Sequence, residues 1–275
     1  MSPVVPVSSG GLYGSSLIIS STTDISTLTS DEIRSLTSKQ VSALTTAQVA
    51  SIATDAIAGL TSRLMQALGT HVNVLTTGQI QALSASQLNA LSRPQAGVLT
   101  STQLNALTSD QLNGLSTTEI AAFAASELGN MDTGQLVQLS TAQMQALTTA
   151  QIAGLSGTQV AALLTEQVAG LKVAQVKAIE TADLKQMSTD QMVALNRTQV
   201  AALTYGQVSA LETAQLAAIE TQDIGVLTTA QLSALSTSQV RALTTDQIQA
   251  LAPGKVGLLG TAAIAALSTD QVKAL

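Results

Sequence analysis

The chain carries a single histidine and no cysteine among its 275 residues, so any chemistry must rest on carboxylates and hydroxyls. His71 lies in the stretch GTHVNVL. Nucleophilic catalysis needs a base beside its nucleophile and a third group to orient it, and a metal site needs several ligands. One imidazole supplies neither, so His71 reads as a local structural residue at a kink. The carboxylates Glu180 and Asp183, Glu212, and Glu220 and Asp223 recur as ETAD, ETAQ and ETQD. They read first as solvated capping acids, with an acidic row along one side as the alternative. No phosphate-cradling glycine loop and no calcium loop is present. Met144, Met187 and Met192 fall at recurring apolar positions and read as core fillers, while Tyr13, Phe123 and Tyr205 are too few for a base-stacking platform. No catalytic, cofactor-binding or metal-binding set emerges, and a non-enzymatic protein is expected.

Charge narrows the partners. Asp, Glu, Lys and Arg make up only 10% of the chain, and the net charge is −6. Basic residues are scattered singly, as at Arg34, Lys39, Arg63, Lys172, Lys177 and Arg241. A nucleic-acid binder shows a basic stripe instead, so no nucleic-acid partner is expected. No apolar run approaches the ~18 residues of a membrane span. The N-terminus lacks the basic and continuous apolar regions of a classical signal peptide, which leaves a bacterial surface or extracellular location open by another route and does not exclude the cytoplasm.

The elements that would position any site are set by a repeat. LTTAQLSALSTSQVRALTTDQIQAL, from Leu227 to Leu251, states one eight-residue unit three times. Its positions 1 to 8 are a hydroxyl residue, Ser/Thr, variable, Gln, aliphatic, variable, Ala and Leu. Counting back from Leu275 in eights lands on an apolar residue at every step to Leu75, giving twenty-five octads; one residue is lost in Gly69–Leu75, and five more octads run from Thr29 to Leu68. A fixed short period marks a repeat architecture. Residues 1–28 are assigned to a non-repeat N-terminal arm and residues 29–275 to the octapeptide-repeat solenoid.

Ser/Thr at position 1 with Gln at position 4 is a capping box, which makes position 1 the N-cap. Pro94 and Pro253 fall at positions 3 and 2, in the first turn that tolerates proline. Asp110, Asp190, Asp246 and Asp270 fall at position 3, where the helix dipole favours them. A continuous helix would need 4.0 residues per turn to hold an eight-residue stripe, against 3.6. The pattern therefore predicts a train of two-turn helices, each of about seven residues. At about 100° per residue positions 5 and 8 face inward with 4 and 7 beside them. Position 4 Gln must then be hydrogen-bonded, and Gly at position 7, as at Gly59, Gly114, Gly154 and Gly170, permits close backbone approach. Helices this short are unstable alone; the fold expected is an all-α solenoid, with about three octads per turn as the first guess.

Two resemblances follow from these residues. LTSKQVSAL, Leu36 to Leu44, resembles the opening helix of transcription-activator-like effector repeats. Those are much longer, with a second helix, a base-reading loop and a basic array absent here, so DNA recognition is not implied. Residues 29–275 are similar to the Thr/Ala/Gln-rich short repeats of large secreted bacterial surface and adhesin-like proteins, which implies an extracellular structural or adhesive role. The final octad, Ser268 to Leu275, is an ordinary repeat without a polar cap, so its apolar end is expected to dock on a second copy, or else to continue into further chain. A head-to-tail contact that does not close makes a filament. The apolar residues assigned to that interface are Val4, Val5, Leu17, Ile18, Ile19, Val272 and Leu275. The alternatives are a protein-binding scaffold or effector, and an ice- or mineral-facing threonine array at position 2.

Overall fold

The structure is a computed structural model that describes residues 18–251 and 253–275, together with the backbone of Val5–Pro6. Each octad becomes one short helix for reasons visible in a single unit. Thr244 is extended (φ −70°, ψ 160°) and its Oγ1 accepts from the Gln247 amide, while the Gln247 side chain accepts from the Thr244 amide at 2.9 Å. The helix runs Thr245–Ala250 and stops because Leu251 swings back to an extended backbone (φ −73°, ψ 119°). Most helices are four to six residues long rather than about seven, since positions 8 and 1 both belong to the turn. Pro253 opens the helix Pro253–Val256, and Pro94 sits in the first turn of Arg93–Ala96.

The helices bury positions 5 and 8, as in Val208 and Leu211 at 0% and 4% exposure. Met144, Met187, Met192 and Phe123 are all in this core. Helices stack on those three octads away: Thr189–Val193 lies on Thr213–Ala218, and Thr141–Ala146 on Thr165–Gly170. Side-chain hydrogen bonds reach one octad further, from Gln207 back to Val176 and Ile179. A superhelical turn thus lies between three and four octads, against the about three expected from the sequence. Glycine at position 7 is where stacked backbones come closest. A Cβ on Gly59 would overlap the Ser30 carbonyl oxygen, and one on Gly114 would lie 2.6 Å from the Ala85 Cβ.

The chain forms two compact units, Met1–Leu139 and Ser140–Leu275. The first differs from the second in three ways. It holds the shortened unit, which folds as a 3-10 helix Gly69–Val74 and places Gly69 at φ 55°, a conformation that favours glycine. Its Thr54–Gly59 segment is also a 3-10 helix. Finally, the core phase begins at Ile25 and Leu28, 0% and 3% exposed, inside the segment that the sequence placed in the arm. There, Thr23–Asp24 pairs in parallel with Val5–Pro6.

Candidate functional site: the glutamine ladder and its interruptions

Among the described residues the polar side chains that the fold buries are those at position 4, and the glutamines there do two jobs. Gln207, 1% exposed, accepts the amide of its own N-cap Thr204 at 2.9 Å through Oε1. Its Nε2 donates to the Val176 and Ile179 carbonyls at 2.8 and 2.9 Å, 31 and 28 residues back. One side chain therefore satisfies the start of its own helix and the end of a helix four octads earlier, groups that helix termini otherwise leave unpaired. Gln103, Gln111, Gln191, Gln199, Gln239 and Gln271 repeat this bridge. At Gln79 and Gln87 the rung spans 27 residues, to Ile52 and Leu60, because it crosses the shortened unit. The ladder tolerates a lost hydroxyl: at Leu164, Lys172 and Glu212 the glutamine oxygen still accepts the N-cap amide.

A model of the ALTTAQ repeat matches residues 21–54, 120–157, 128–165, 141–173, 176–213 and 216–253, together more than half of the chain. The chain belongs to the ALTTAQ repeat family. In this chain Ala146 to Gln151 spell the motif as it stands, running from position 7 across the turn to position 4. The family's six letters thus span the close-approach residue, the core leucine, the N-cap and the ladder glutamine. No curated protein matches the chain. The family match begins at residue 21, and next to it Gln48 Nε2 donates to the Ser20 and Thr23 carbonyls at 2.8 and 2.9 Å, so these two residues supply the acceptors that an earlier octad supplies elsewhere.

The ALTTAQ ladder is interrupted where position 4 is not glutamine, and these places correct the reading of the acids as solvated caps. Glu180, Glu212 and Glu220 do sit at N-caps, Glu212 within 4.0 Å of Lys185. Asp183 is half-buried and Asp223 only 4% exposed, because both stand at position 4 and face the stack. Burial pushes both carboxyls above their ordinary range, with Glu180 and Glu220 respectively adding to the shift. The Gly157 amide bonds Asp183 and opposes its rise; the Arg197 charge opposes that of Asp223. Glu119, 8% exposed, is likewise raised by burial and receives a hydrogen bond from Ser116 Oγ. In its octad the N-cap amide turns instead to Asn89, whose Oδ1 accepts from Ser116 at 2.7 Å while Nδ2 donates to Gly114 at 2.6 Å. Asn105 treats the Asp132 amide in the same way, at 2.8 Å. Neither asparagine stood out in the sequence; both are at variable position 6. Lys255 replaces the glutamine with an ammonium, which donates to the Gly225 and Leu227 carbonyls at 2.7 and 3.0 Å.

His71 lies in the 3-10 segment, and its Nδ1 is buried without a hydrogen-bond partner among the described residues. Those residues contain no group of three or more His, Asp or Glu placed to hold a metal, and no helix long and apolar enough to cross a membrane. Of the apolar residues assigned to an interface, Ile18 is 88% exposed, Val272 54% and Leu275 59%, while Ile19 is half-buried. Val5 pairs through its backbone with Thr23. Val4 and Leu17 lie outside the described residues.

Proposed function

We propose that this ALTTAQ repeat chain is a non-enzymatic structural protein that self-associates head to tail, as a filament subunit, stalk or adhesin segment at a bacterial surface. One observation carries the reading. A cavity of about 160 Å³ is lined by Ile248, Leu251, Val256 and Leu275. Leu275, which lines this cavity, and Val272 are exposed, so an apolar edge of a second copy can seat there. The exposed Ile18 edge of a second copy is the counterpart in this arrangement. There Ser20 and Thr23 already accept from Gln48 Nε2, so assembly engages the outside of that segment. The extracellular setting rests on the Thr/Ala/Gln-rich composition shared with secreted surface repeats.

Electron microscopy of the purified chain across a concentration series tests the reading. Long particles of constant width, suppressed by Val272→Asp and Leu275→Asp together, are expected. Discrete particles of one size at every concentration would refute self-assembly.

A further inference from the structure

We propose that the cleft beside Asp223 is a binding site for a primary ammonium group. The inference does not depend on self-assembly. It begins with what position 4 does elsewhere: a donor from this position meets carbonyls 28 and 30 or 31 residues back. For Lys255 those are Leu227 and Gly225, and the donor is itself a primary ammonium. For Asp223 the equivalent residues are Leu195 and Val193. An ionised aspartate cannot donate to them and is one methylene shorter than glutamine. The space that a glutamine would fill is open: a cleft of about 310 Å³ is lined by Val193, Leu195, Arg197, Glu220 and Asp223.

The cleft has the charge and geometry of a cation site. As a residue Asp223 is only 4% exposed, its carboxylate lines the cleft, and among the described residues the carboxylate makes no ion pair within 4.0 Å. A carboxylate held largely out of water is only partly solvated, and a cation entering the cleft would donate to it. Glu220, the N-cap of the same octad, adds a second carboxylate, oriented by a 2.7 Å hydrogen bond from Gln222 Nε2. The opposite wall ends in the last turn of the helix Thr189–Val193, whose carbonyl end favours positive charge. Arg197 is exposed and lies at the mouth; its guanidinium makes no ion pair within 4.0 Å with either acid among the described residues. A compact ammonium has three donors to share between carboxylate and carbonyls, which the flat, bulkier guanidinium cannot match in the same space. The sister position, Asp183, differs in two respects that remove the site: it is half-buried where Asp223 is 4% exposed, and the neighbouring Gly157 amide already stabilises its carboxylate.

The test is a titration of the full chain, followed by calorimetry, with methylammonium as the free amine and with N-acetyl-glycyl-lysyl-glycinamide as a lysine side chain. The peptide with its lysine acetylated serves as control. Saturable binding of either amine is expected, with none by the acetylated peptide, and the arm that binds tells a small amine from a lysine-bearing partner. Asp223→Gln should refill the ladder and weaken binding at least tenfold while leaving helicity unchanged. Glu220→Gln, at an exposed N-cap, should weaken it severalfold and serves if Asp223→Gln disturbs the fold. Absence of saturable binding in both arms, or binding that survives both substitutions undiminished, would overturn the assignment.

Discussion

A ladder glutamine is hard to replace because its two ends serve different helices. In Gln207 the carbonyl oxygen accepts from Thr204 and the amide donates to Val176 and Ile179, all within a site that is 1% exposed. Truncation takes their side-chain partner from the part-buried Thr204 amide and the buried Ile179 carbonyl, while Val176 keeps its bond from the Ile179 amide, so Gln207→Ala should destabilise by about 2–4 kcal/mol. A urea denaturation midpoint indistinguishable from the parent's would show that the ladder contributes nothing. Gln→Glu at the same place should be as damaging near neutral pH, since the carboxylate cannot donate. The chain itself contains that experiment at Glu119, where the N-cap amide is taken over by Asn89. Position 4 is therefore not a uniform row of amides: acids and Lys255 mark places where the local chemistry changes.

At the scale of the element, the octad is a helix that cannot exist by itself. Its length is set by two extended residues, such as Leu203 (ψ 135°) and Thr204 (ψ 161°), which turn the chain between successive helices. Short helices close their stacks through position 7. At Gly59 a methyl group would meet the Ser30 carbonyl oxygen and the Ile33 Cβ, so the helix Ser30–Ser35 and the 3-10 segment Thr54–Gly59 would have to part. Gly59→Ala should cost about 1–3 kcal/mol by overpacking, whereas the same change at Gly134, which has open space, should be close to neutral. Comparing the two by thermal melting separates steric closure from the general helix-favouring effect of alanine, which acts in the opposite direction.

For the whole molecule, the buried acids set how stability varies with pH. Glu119, Asp183 and Asp223 have folded values raised above their ordinary ones by burial, so the folded chain holds protons more tightly than the unfolded chain. Stability should therefore rise as pH falls from neutral towards those elevated values and level off below the ordinary carboxylate range. Asp24, lowered by the Ser26 hydroxyl and amide, works in the opposite sense and its contribution is lost only on further acidification. Urea midpoints measured from about pH 7 to about pH 4.5 should show the rise, and Asp223→Gln should flatten it; a falling profile over that range would contradict the assignment. The sequence alone determined the repeat, its phase, the N-caps, the inward positions 5 and 8 and the need to bond position 4, because each follows from helix geometry within one octad. It located the prolines and the close-approach glycines for the same reason. What it left undecided was everything that depends on which octads meet. The turn of between three and four octads, the rungs reaching 28 and 31 residues back, the burial of Ile25 and Leu28 and the different fates of Asp183 and Asp223 arise from stacking. Identical local signals say nothing of the partner brought alongside by the superhelix, so only the tertiary structure decided them.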